Sequence, residues 1–201
     1  MIPFFCLFFS FLVLAFYTEH ALRPKIQELT VISAKKMVTE TVHETVGTMA
    51  KEGFLSYDDM VHCDRDAYGN VNFLEVDTAV LSYARSQIVK RIDDALKARK
   101  NVKVIVPLGS LSGWNLFGGI GIPIRVGVYP IGSTESDIYT VLEDCGINQT
   151  RHLIRLDVKI VLVCVLPEEN CTVETELSVP LGERVLVGDV PEIYLDSIGS
   201  G

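Results

Sequence analysis

Basic residues are the first scarcity: 18 Lys and Arg stand against 26 Asp and Glu in 201 residues, a formal charge of −8. A nucleic-acid binder that works through phosphate neutralisation is excluded by that balance. Residues 151–201 sharpen the point with nine acidic groups against four basic ones, which suits a protein-docking face rather than a polyanion. Paired metal-site cysteines are missing too. The five cysteines, at 6, 63, 145, 164 and 171, form no C-x-x-C, and no histidine stands at zinc spacing. Buried free thiols in strands are therefore the expected state, with a bridge between Cys164 and Cys171 across a hairpin as the alternative outside the cytosol. No stretch is rich enough in Pro, Gly or Ser to serve as a linker between domains, and the apolar content of 48% excludes a disordered tail.

Catalytic motifs are equally thin. His43-Glu44 lacks the second histidine of H-E-x-x-H, and "GSLSG" at 109–113 puts Leu111 where a nucleophile elbow needs serine. Ser33 to Lys36 fits S-x-x-K but lies in a helical stretch with no K-T-G partner. The glycines of "GGIGIPIRVG" lack the strand-then-helix order of a phosphate cradle, and no cofactor is expected. Asn148 and Asn170 open formal glycosylation sequons, relevant only to a eukaryotic secretory protein.

What is present begins at the N-terminus. Ile2 to Tyr17 contains only Pro3 and Ser10 outside the apolar set, and six of the nine phenylalanines fall within the first 17 residues. With the stretch through Leu22 this makes about 20 residues, enough for a transmembrane anchor over 1–22. A cleaved signal peptide would want a basic n-region and a small-x-small site, which this segment lacks or supplies poorly. Arg23, Lys25, Lys35 and Lys36 follow the span, so the flanking charges taken alone favour a cytosolic C-terminal part.

After the anchor, Pro24 suits a first helical turn. Val31, Ala34, Val38, Val42, Thr45 and Met49 recur at helical spacing up to Gly53, a C′ glycine. Met60 to Asp64 and Val71 to Val76 flank "RDAYGN" as a β-hairpin. Asp77 caps a second helix with the stripe Leu81, Ala84, Ile88, Ile92, Ala95 and Leu96, and Val102 to Val106 reads as a strand. The expected fold class is α+β: the N-terminal transmembrane helix, an αββαβ unit over 23–106, then a mostly antiparallel β region over 107–201 packed with it as one domain. Strands are expected at Ile122 to Pro130, Asp137 to Glu143, Leu153 to Leu166, Cys171 to Val179 and Arg184 to Val187. The tripeptides Pro107-Leu108-Gly109, Pro130-Ile131-Gly132 and Pro180-Leu181-Gly182 read as punctuation that stops strands.

One polar cluster exceeds what a strand entry needs: Asn148, Gln149, Thr150, Arg151 and His152, with Asp189 exposed in a later turn. Arg151 and His152 could hold an anion or act as an acid/base pair with Glu143, Asp144 or Asp189, the basis of an envelope-hydrolase reading against peptidoglycan. The plainer alternative is a turn whose side chains cap backbone groups and pair with Glu143 or Asp144. A third reading, a small-ligand or lipid-binding domain, would rest on the loop around Trp114 and Phe117.

The span followed by "LRPKI", "YDD" at Tyr57 to Asp59, "VPLGSLSG" at Val106 to Gly113, "IPIRVGVYPIG" at Ile122 to Gly132, "GINQTRH" at Gly146 to His152 and "VGDVP" at Val187 to Pro191 come in order along nearly the whole chain. In these features the chain resembles the sporulation protein YunB family of endospore-forming Firmicutes. The resemblance implies a membrane-associated protein made in the mother cell and needed for spore formation, with no biochemical activity assigned and no catalytic residue to carry over. Expected partners are the membrane, through residues 2–22, other envelope proteins of sporulation and a second copy of the chain. The soluble part is then expected to be extracytoplasmic, or in the space between mother cell and forespore.

Overall fold

The computed structural model describes residues 2–65, 71–99, 101–107, 121–131, 134–146, 149–166 and 169–187, with backbone alone for 2–22, 65, 71–72, 105–107 and 121–124. One helix, α1, runs unbroken over Ile2–Lys51 with Pro24 inside it. The expectation that Pro24 starts a new helix is thus corrected. A proline removes one i→i−4 bond, and a helix with many turns on each side continues through that loss. The side chains of the apolar run, 2–22, lie outside the described residues. Among the described residues no helix is long and apolar enough to cross a membrane. The predicted stripe is real: Ala34, Val38, Val42 and Met49 are buried. Gly53 ends the helix at φ 75°, with its N–H bonded to Ala50 O and that of Phe54 to Met49 O, a left-handed cap that glycine adopts without a Cβ penalty.

The chain divides into two compact units, one of residues 1–40, 96–132 and 161–175, the other of 41–95, 133–160 and 176–201. In the second, a one-turn helix α2 (Tyr57–Met60) leads into β1 (Val61–Arg65) and β2 (Val71–Val76), which pair antiparallel with Val61 opposite Val76. The predicted hairpin is therefore present, although its turn, 66–70, lies outside the described residues. Asp77 accepts from the backbone N–H groups of Ala79 and Val80 at 2.9 and 3.0 Å and starts α3 (Thr78–Ala98) as its N-cap. Leu81, Ala84, Ile88, Ile92 and Leu96 of the predicted stripe are buried. Met60, Val61, Leu81 and Ile154 form a core cluster, with Tyr57, Leu74, Val76, Val80, Ile138 and Leu181 packed around it. β5 (Glu135–Gly146) pairs antiparallel with β6 (Gln149–Val165), from Glu135 opposite Lys159 to Gly146 opposite Gln149.

In the first unit, β3 (Asn101–Pro107) pairs antiparallel with β4 (Gly121–Pro130), and β4 with the last residues of β6. Val102, Val104, Val126, Val128, Leu162 and Cys164 are buried there. Helix, strand, strand, helix, strand is the observed order along the chain, with α2 added. In space β1 and β2 form a sheet of their own, whereas β3 belongs to a five-stranded sheet of order β3-β4-β6-β5 in which β7 (Asn170–Val187) also pairs with β6. Two expectations need correction. Gln149 to His152 lie within β6 rather than in a turn, and β7 is one strand where two were expected. Proline is tolerated in a strand where its N–H is not needed by a neighbour, so Pro180 does not stop β7 as Pro107 and Pro130 end theirs.

Candidate functional site

β6 alternates buried and half-buried residues from Ile154 to Cys164, so successive side chains point to opposite faces, and His152 shares the face of Ile154. His152 falls on the buried side with 1% of its surface exposed. A buried imidazole must find a partner, and Tyr57 of α2 supplies it: Tyr57 Oη and His152 Nδ1 are 2.6 Å apart, with the rings edge to face at 77°. A hydroxyl can donate or accept, so this bond forms with either neutral tautomer. Burial lowers the His152 pKa below 6.5 and keeps the ring neutral at pH 7. Burial raises that of Tyr57 above 10.0, opposed by Arg184, so the phenol keeps its proton.

Arg184 of β7 completes the group. Its guanidinium carbon lies 4.6 Å from the Tyr57 ring centroid, and its Nη2 lies 2.7 Å from Asp58 Oδ1. On the same strand Gly182 meets the Tyr57 ring, where an added Cβ would lie 3.3 Å from Tyr57 Cδ2. The glycine of the third tripeptide thus has a packing reason: a side chain at 182 would press on the tyrosine ring, which would have to give by a few tenths of an ångström.

Of the predicted cluster, the structure brings Arg151 and His152 onto neighbouring positions and separates their roles. Arg151 projects to the exposed side, gives both Nε and Nη2 to Glu143 Oε2 directly across from it on β5, and lies 4.0 Å from Glu183. Gln149 is exposed and Thr150 half-buried opposite Asp144. Asn148 and Asp189 lie outside the described residues, as do Trp114 and Phe117. Glu143 is one of the two partners the plainer reading offered for Arg151, although the residues lie in a strand rather than a turn. Tyr57, Asp58, Arg184 and Gly182 were not singled out as site residues by sequence, although Tyr57 and Asp58 stand in the "YDD" motif. Chemically the assembly is a tie between α2, β6 and β7. With 1% exposure, the imidazole does not reach a substrate in this conformation.

A second feature is a cleft of about 410 Å³ lined by Glu135, Asp137, Asp157, Lys159 and Glu176. Arg85 bonds the Ser136 carbonyl and Asp137 at its edge, and Lys159 pairs with Glu176 at 3.5 Å. Among the described residues no group of three or more His, Cys, Asp or Glu is placed to hold a metal ion.

Residues 103–193, which contain His152, Arg184 and the cleft residues of β5 to β7, match the family model described as sporulation protein YunB. Over that segment the chain is similar to the sporulation protein YunB family. Sporulation protein YunB of Bacillus subtilis (strain 168) is 25% identical to it over 191 residues, 90% of this chain and 75% of the relative. No solved structure matches.

Proposed function

We propose that this chain is a member of the YunB family and a membrane-anchored component of the sporulating cell envelope that acts by binding other envelope proteins rather than by catalysis. The family match carries the sporulation role. The anchor is supported by the apolar run of residues 2–17, continuous in sequence with the helix that enters the folded part. The binding role is supported by the acidic side of β5 to β7, where Glu135, Asp137, Asp157 and Glu176 outnumber Lys159. Another copy of the chain is the alternative occupant of that role. The folded part lies on the extracytoplasmic side in this reading. A hydrolase built on Arg151 and His152 gains no support from a guanidinium held by Glu143 and an imidazole held by Tyr57.

The test is the count of heat-resistant spores in a deletion strain complemented with the full chain or with residues 24–201. The full chain is expected to restore spores and the shortened one to fail. Full rescue by residues 24–201 would remove the anchor from the mechanism. Normal sporulation of the deletion strain would remove the sporulation role itself.

A further inference from the structure

β6 ends at Val165 and β7 begins at Asn170, and the two strands pair. Closing that ribbon at Val165 and Asn170 sets Cys164 directly opposite Cys171. Two observations independent of the thiols hold this register. Lys159 and Glu176, facing each other in it, form an ion pair at 3.5 Å. The buried positions also coincide across the ribbon, Leu162 with Val173 and Leu156 with Val179. Residues directly opposed in an antiparallel pair have Cα atoms about 4.5–5.5 Å apart, inside the range a disulfide spans. Cys171 lies near enough to Cys164 to help raise its thiol pKa. Both are free thiols in this structure, Cys164 buried and Cys171 half-buried.

We propose that Cys164 and Cys171 form a cross-strand disulfide, made by exchange with a low-molecular-weight disulfide that enters at Cys171. The Cys171 thiolate attacks one sulfur of the incoming disulfide, and one small thiolate leaves. Cys164 then gives up its proton and attacks Cys171 Sγ, releasing the second small thiolate. One S–S bond breaks and one forms. The protein pair loses two electrons to the small disulfide, and its two protons pass to the two released thiolates. The second step is the slow one, because burial and the neighbouring Cys171 push the Cys164 thiol up to about 12. This inference stands apart from the sporulation reading, since it needs only the β6–β7 ribbon.

The test uses the full chain in detergent micelles, incubated with oxidised glutathione at pH 7 and pH 9, then unfolded, alkylated with N-ethylmaleimide and mapped by mass spectrometry. A linked pair of peptides carrying Cys164 and Cys171, two hydrogens lighter than their sum, is expected, forming faster at pH 9. It should be lost on reduction, while Cys63 and Cys145 remain alkylated. In Cys171→Ser the linked pair is absent. Full alkylation of Cys164 and Cys171 after both incubations overturns the proposal, as does a bond from either one to Cys63 or Cys145.

Discussion

The two ends of β6 solve different burial problems. At its start the strand turns a histidine inward, and that imidazole is partnered by Tyr57, 95 residues away in sequence, whose ring is in turn held by Arg184. Toward its end the inward residues include Ile160 and Leu162, which need no such partner. An apolar position is satisfied by whatever fills the space around it, so its neighbours can vary. A buried polar position is satisfied only by a group of the right chemistry at the right distance. The histidine end should therefore depend on pH and on single atoms, and the aliphatic end on volume alone.

The largest effect is expected where volume alone counts. Leu162→Ala removes a fully buried side chain and should cost about 2–5 kcal/mol of unfolding free energy, by the same amount at pH 5.5 and pH 8. Denaturant unfolding at the two pH values checks it. A loss that varied with pH would end the contrast between the strand ends.

His152→Ala comes next, at about 2–4 kcal/mol, since it opens a cavity and strips the Tyr57 hydroxyl of its partner. Its signature is the pH profile. The folded-state pKa of His152 lies below its ordinary 6.5, so below that pH the unfolded chain binds the proton first. The stability this group contributes is complete above pH 6.5 and is lost as pH falls toward the folded pKa. Tyr57 acts at the other limit: its raised pKa means that its contribution is complete below pH 10.0 and is lost as pH rises further. A melting-temperature plateau between these limits is expected in the parent, and His152→Ala should flatten the acid side.

Tyr57→Phe keeps the ring and removes one oxygen. It should cost about 1–2 kcal/mol by leaving His152 Nδ1 without its bond. Combining it with His152→Ala should cost less than the sum of the two, because each removes the same bond. Strict additivity would show that the 2.6 Å contact carries no stability. Arg184→Gln is smaller still, about 0.5–1 kcal/mol at low salt and less at high salt. Its side chain is 34% exposed and Asp58 is 71% exposed, so solvent screens the pair.

Much of the scaffold was legible in the chain because it rests on local rules. The α1 stripe through Ala34, Val38, Val42 and Met49, the Gly53 end, the Asp77 cap and the pairing of the Val61 and Val71 strands all follow from spacing and capping chemistry. Pro24 and Pro180 misled, because a proline signals an interruption that the surrounding helix or strand can override. The candidate site was half legible. Arg151 meets Glu143 through a connection of a few residues, close enough in sequence to expect. His152 meets Tyr57 through tertiary packing, which no local pattern encodes. Gly182 shows the same limit: sequence offered a turn, whereas the packed chain uses the missing side chain to admit an aromatic ring.

The least costly change is also the one that separates structure from function at the start of β6. Arg151 is 40% exposed, and its partner Glu143 is 37% exposed. An ion pair this open to water adds little to folding once side-chain entropy and salt screening are counted. Arg151→Gln is accordingly expected to melt at the parent temperature and to restore heat-resistant spores to the parent count. His152, one residue on, should lose spores only in proportion to lost stability. If Arg151→Gln folds, localises and melts as the parent does yet fails to restore spores, the guanidinium touches something outside this chain. The exposed side of β6 would then be the contact face, ahead of the acidic cleft beside it.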